Sequence, residues 1–137
     1  MKELWENYTS ISVPDDYWIK KIEHDVEELR IRYVFDMESL NEGFYLVFND
    51  TLSFNYSDIH GAIIRLQKMP KSIFKNQING IYIATSSNYM NNFIIESQGT
   101  LGKLEEVKHY LLVDEYNDKI IDVLALSEPK IEWIIND

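Results

Sequence analysis

The feature that most constrains this chain is a succession of short β-prone runs set apart by turn-forming residues. Phe44 to Phe48 and Leu52 to Tyr56 flank Asn49-Asp50-Thr51, Asn79-Gly80 opens Ile81 to Ala84, and the Ser86-Ser87-Asn88 loop precedes Phe93-Ile94-Ile95. His109 to Asp114 faces Lys119 to Leu126 across Glu115-Tyr116-Asn117-Asp118. Connections of this length predict antiparallel hairpins, because parallel strands need long crossovers. Ile31, Tyr33 and Phe35 alternate with Arg30, Arg32, Val34 and Asp36 in the two-residue rhythm of a half-buried strand. Ile59 to Leu66 reads as a further strand before Pro70, Gly99 and Gly102 bracket a turn, and Ser127-Glu128-Pro129 starts a last helical turn or short strand through Ile131, Trp133 and Ile134.

The N-terminal part follows a different period. Ser12-Val13-Pro14-Asp15-Asp16 has the chemistry of a helix start, with proline in the first turn and carboxylates at the positive end. Trp18, Ile19, Ile22, Val26 and Leu29 then recur at three- and four-residue spacing, with Lys20, Lys21, Glu23 and Glu27 between them. The spacing predicts a helix from Pro14 to about Leu29, and Lys2 to Tyr8 reads as a shorter one carrying Leu4, Trp5 and Tyr8 on one side. The expected architecture is α+β: an antiparallel sheet of about six strands with an N-terminal helix packed on one face, in a single globular domain over residues 1–137. A chain of this length with 45% hydrophobic residues buries enough surface for a core without disulfides or a structural metal.

Composition removes whole classes of chemistry. The chain has no cysteine, which excludes disulfides, thiolate metal sites and cysteine nucleophiles. No apolar run approaches the ~18 residues of a membrane span, and MKELWENYTS has no secretory apolar stretch. The expected location is cytoplasmic, with no membrane partner. A net charge of −10 opposes nucleic acid and favours a basic partner. That charge is uneven: residues 1–58 carry −8, residues 59–95 carry +4 through Arg65, Lys68, Lys71 and Lys75, and residues 96–137 carry −6.

Candidate chemistry is sparse. Asp58 and His60 stand two apart in a β-prone run and suit a carboxylate–imidazole pair, but no nucleophile motif accompanies them. His24 lies among Glu23, Asp25, Glu27 and Glu28, as expected of a solvated acidic face. The three histidines lack metal-ligand spacing, Asp114 to Asp118 lacks the ligand series of a calcium loop, and Gly99 to Lys103 lacks the length and ending of a phosphate loop. No catalytic, cofactor or metal residue is therefore assigned. For binding, the acidic loop Asp114, Glu115 and Asp118 around Tyr116 is the first candidate surface, because carboxylates steer a cationic partner and a central tyrosine buries a large face. Glu23, Asp25, Glu27 and Glu28 form the rival surface.

His109-Tyr110-Leu111-Leu112-Val113, Asn117-Asp118, Ile121-Asp122-Val123, Glu128-Pro129 and Ile131-Glu132-Trp133-Ile134 make the C-terminal third similar to small bacterial immunity proteins that protect against polymorphic toxins. The resemblance implies a compact, acidic, non-enzymatic protein that binds and blocks a cognate toxin domain, often a basic nuclease. The competing reading is a small enzyme or ligand-binding domain with a pocket between helix and sheet.

Overall fold

The computed structural model describes residues 3–35, 42–58, 61, 79–97, 107–114 and 119–134. Among the described residues, nine strands and a helix follow in the order β1 (Leu4–Asn7), β2 (Trp18–Asp25), β3 (Glu28–Val34), β4 (Phe44–Phe48), β5 (Thr51–Ser57), β6 (Asn79–Ser86), α1 (Asn88–Ser97), β7 (Lys108–Asp114), β8 (Lys119–Ala125) and β9 (Lys130–Trp133). All pairings are antiparallel. They make a five-stranded sheet of order β1-β6-β7-β8-β5 and a four-stranded sheet of order β2-β3-β4-β9.

The expected α+β class with an N-terminal helix is thus overturned: residues 18–34 are a β-hairpin, and a mostly β, two-sheet fold replaces one helix-covered sheet. The reason is a β-bulge. Ile19 pairs with Tyr33 but Lys21 pairs with Arg32, so Lys20 is an extra residue on β2. The insertion puts Ile19 and Ile22 on the same face although they are three apart, a spacing that a regular strand forbids and a helix favours. The rest of the apparent stripe is broken up. Val26 sits in the turn at φ 49° and is 84% exposed, whereas Leu29 belongs to the next strand and is fully buried.

Three further expectations are corrected. Of the short helix expected over Lys2 to Tyr8, the described residues contain strand instead: β1 pairs along β6 and buries Trp5. Phe44 to Phe48 and Leu52 to Tyr56 do lie in strands, but β4 pairs with β3 and β9 while β5 pairs with β8, so Asn49 to Thr51 is a corner between sheets. Phe93-Ile94-Ile95 lies in α1, because Ser87 caps that helix: its Oγ accepts the Met90 N–H at 3.2 Å and its carbonyl accepts the Asn91 N–H at 3.0 Å. Tyr89, Met90, Phe93 and Ile94 then face the sheet together. The His109–Asp114 and Lys119–Leu126 hairpin stands as β7–β8, and the strand expected around Ile31, Tyr33 and Phe35 stands as β3, but it is not half-buried: Arg32 and Val34 are buried with Ile31 and Tyr33, and Phe35 is exposed past its end. Of the expected strand at 59–66 only Gly61 is described, and it is helical; the 99–102 turn, the basic residues 65–75 and His60 lie outside the described residues.

The sheets share one core. Ile19, Leu29, Ile31, Tyr33, Phe44, Leu46 and Phe48 from one meet Ile81, Tyr110, Leu112, Ile121 and Val123 from the other. The larger sheet is buried on its second face as well, where Trp5 joins Tyr82, Ala84, Leu111, Val113 and Ile120, and α1 covers Leu124 through Met90. Burial on both faces explains why β7 and β8 read as nearly continuous apolar runs.

Candidate functional site

The acidic residues divide between three situations. Asp114 is fully buried, and its Oδ2 accepts the Ile19 N–H at 2.9 Å. Lys119, opposite it in the β7–β8 register, donates from Nζ to the Ile19 carbonyl at 3.0 Å. The last residue of β7 and the first of β8 therefore satisfy the backbone N–H and C=O of Ile19 on the edge strand of the other sheet. Glu115, Tyr116 and Asp118 lie outside the described residues. Glu23 is half-buried and paired with Lys21 at 2.8 Å, Glu28 is half-buried and paired with Arg30 at 3.2 Å, and Asp25 and Glu27 are exposed beside Val26 at the β2–β3 tip. Ile19 and that tip are separated by most of β2, roughly 20 Å at the rise of an extended strand. Asp114 and the Asp25–Glu27 tip therefore lie at opposite ends of β2.

His24 gathers no site among the described residues, and of the Asp58–His60 pair only Asp58 is described. Asp58 is exposed after β5, and His24 is an exposed strand residue whose ring lies 5.1 Å from Phe54. Among the described residues no three His, Asp or Glu side chains converge to hold a metal, and no helix is long and apolar enough to cross a membrane. A depression of about 480 Å³ beside Gly80 is lined by Asn7, Tyr8, Ile11, Ser12, Val13 and Asp15 among others.

Two arrangements do carry chemistry. The first is an aromatic cluster at the Trp18 end of the smaller sheet. Tyr17 lies 5.5 Å from Phe44, 6.1 Å from Phe35 and 6.0 Å from Trp133, and Phe44 lies 4.8 Å from Trp133. Phe44 is buried, whereas Phe35 is 52% and Trp133 is 55% exposed. Gly43 makes the tight entry into β4: its φ is 96°, and an added Cβ would lie 2.0 Å from the Tyr33 carbonyl oxygen. Acids border the cluster. Exposed Asp15 and Asp16 precede Tyr17 in its turn, and Glu42 Oε1 accepts the Phe35 N–H at 2.7 Å.

The second is a buried chain of Ser87, His109 and Asp122 between α1 and the sheet, all three fully buried. Ser87 Oγ lies 2.6 Å from His109 Nδ1, and His109 Nε2 lies 2.6 Å from Asp122 Oδ1. A carboxylate only accepts, so in the neutral imidazole Nε2 carries the proton and donates to Asp122, leaving the Nδ1 lone pair for the Ser87 hydroxyl. Trp5 meets the imidazole at 4.8 Å and Tyr89 at 5.2 Å, and the Tyr89 hydroxyl bonds Ser53 at 2.6 Å. Burial raises the Tyr89 pKa above its ordinary value, with Ser53 opposing that shift.

Sequence reasoning missed this array, although parts of it were visible. The β7–β8 register sets His109 opposite Leu124 and Asp122 opposite Leu111, diagonal neighbours on one face. Asp122 is also a charge inside the apolar run Ile120 to Leu124. Comparison with protein-family models, curated proteins and solved structures finds no match to this chain.

Proposed function

We propose that this chain is an acidic binding module for a basic protein, with neutralisation of a cognate bacterial toxin domain as its most concrete form. The observation that carries the reading is the half-exposed Phe35 and Trp133 on a buried aromatic base, bordered by Asp15, Asp16 and Glu42. Exposed aromatics on a rigid sheet end suit the anchoring centre of an interface, and the carboxylates around them suit a cationic partner. The net charge of −10 supplies the long-range field that steers such a partner. Arg and Lys side chains of the partner would stack on Trp133 while the acids neutralise them.

The test is co-expression with the product of an adjacent gene that halts growth when produced alone. The intact chain should restore growth to cells producing that protein, and a Phe35→Ala/Trp133→Ala variant should not. The purified pair should associate more slowly at high salt, and the double variant should dissociate faster by a factor worth ~2 kcal/mol or more. Full protection by the folded double variant refutes this surface. An absence of any protection or binding by the intact chain refutes the function.

A further inference from the structure

We propose that Ser87, His109 and Asp122 form a latent acyl-transfer site for small esters, held shut by the segment Glu3 to Trp5. The array has a nucleophile, a base and an orienting carboxylate at 2.6 Å from one to the next. The imidazole is turned relative to the familiar serine hydrolase arrangement, with Ser87 on Nδ1 and Asp122 on Nε2, but the chemical relation is unchanged. One nitrogen offers its lone pair to the hydroxyl, and the other donates to the carboxylate. Ser87 Oγ accepts the Met90 N–H with one lone pair and retains a second for attack.

The surroundings supply what such a site needs next. Ser87 stands where β6 turns into α1, so the N–H groups that open a ten-residue helix begin beside it, and that of Asn88 is the candidate oxyanion donor. A carboxylate oxygen already rests on one of them: Glu3 Oε2 accepts the Asn88 N–H at 2.8 Å. The other oxygen of that carboxylate accepts from Trp5 Nε1 at 3.3 Å, and the Trp5 ring abuts His109. Glu3 and Trp5 together therefore occupy the approach to the oxyanion donor and to the base. Their strand is weakly held. β1 has four residues at a sheet edge, its register shifts between Leu4 and Trp5, and Leu4, Glu6 and Asn7 are exposed. Ser87 is fully buried beside exposed Asn88, so a substrate reaches it only when Glu3 moves aside and Trp5 leaves its place against Tyr82 and Leu111.

In the reaction, Ser87 Oγ bonds to the ester carbonyl carbon while its proton passes to His109 Nδ1. Collapse of the tetrahedral adduct breaks the bond to the leaving oxygen, which takes that proton, and water repeats the sequence to release the acid.

A fluorophosphonate probe tests this, because attack by Oγ forms an O–P bond and expels fluoride. The adduct is mapped by mass spectrometry on the intact chain and on Glu3→Ala, Glu3→Gln and Glu3→Ala/Ser87→Ala. The expected result is a Ser87 adduct that forms about tenfold faster in Glu3→Ala than in the intact chain, consistent with freeing an oxyanion donor, and that vanishes with Ser87→Ala. Glu3→Gln, which keeps an acceptor on Asn88 without the charge, should fall between them and decides the matter if Glu3→Ala melts early. An unmodified Ser87 in every form that retains a cooperative melt, or an adduct only at other residues, overturns the proposal and leaves the array as a static brace for α1.

Discussion

Replacing Asp114 by Ala should destabilise the protein although the substitution deletes only a small polar group. Asp114 is fully buried, and its carboxylate holds the Ile19 N–H at 2.9 Å beside the bulge of β2. Without it that N–H loses a charged acceptor at a buried position, a penalty of about 1–3 kcal/mol. Lys119 would still donate to the Ile19 carbonyl but would lose the carboxylate opposite it in the register. The combined cost is about 2–4 kcal/mol, roughly 10 °C in melting temperature for a domain of this size. Asp114→Asn retains an acceptor oxygen and should cost about 1 kcal/mol, since hydrogen bonds to charged groups are about twice as strong as neutral ones. Equilibrium urea denaturation of the three proteins, with hydrogen exchange at the Ile19 amide, measures both effects. A loss below about 0.5 kcal/mol for Asp114→Ala, the range of ordinary surface substitutions, with Ile19 protection unchanged, would refute the buried clip and return Asp114 to the acidic surface.

Alkaline pH provides a second check. Burial, aided by Asp114, raises the Tyr33 pKa above its ordinary value, and burial raises that of Tyr110 as well. For groups raised on folding, the native state holds protons that the unfolded chain has released, so their contribution is complete below about pH 10 and declines as pH rises towards the folded values. Melting temperature should fall above pH 10, and Tyr33→Phe should flatten the fall; an equally steep profile in that variant contradicts the assignment. At the β2–β3 tip, Val26→Asn should raise stability by roughly 0.5–1 kcal/mol, because a β-branched residue at positive φ is strained and an exposed one forfeits little burial. Thermal melts showing no gain would argue against strain at that turn.

What the sequence disclosed, and what it hid, follows from which interactions are local. The β-prone runs at Ile31 to Val34, His109 to Asp114 and Lys119 to Ala125 are nearest-neighbour signals, and all three correspond to strands. The β2 bulge produced the opposite result, since the extra Lys20 converts a strand's period into one that imitates a helix. Asn49-Asp50-Thr51 serves equally well in a hairpin or in a corner between sheets, and only the remote partners of β4 and β5 decide which it is. The Ser86-Ser87-Asn88 segment concealed a helix cap for a similar reason: serine and asparagine suit loops and N-caps alike. Ser87, His109 and Asp122 come together only once that helix start and the β7–β8 register are both known. The aromatic cluster needed still more, because Tyr17, Phe35, Phe44 and Trp133 are brought together by three separate strand connections.

The corner at Asp50 has a consequence for how the chain acquires its shape during synthesis. Its carbonyl accepts the Leu126 N–H at 3.1 Å, and its carboxylate accepts the Ser127 hydroxyl at 2.6 Å, so the passage from β4 to β5 is fastened to the passage from β8 to β9. The smaller sheet then receives its fourth strand from residues 130–133, next to a strand made more than eighty residues earlier. Closing such distant pairings before they bring any reward is slow. The early β2–β3–β4 meander must therefore wait, with one edge bare, until Trp133 has been translated, a period in which it is vulnerable to pairing with other chains. A ribosome-bound chain halted before Lys130 should accordingly remain protease-sensitive at β4, and protection of β4 in that chain would show that the meander can settle without its last strand.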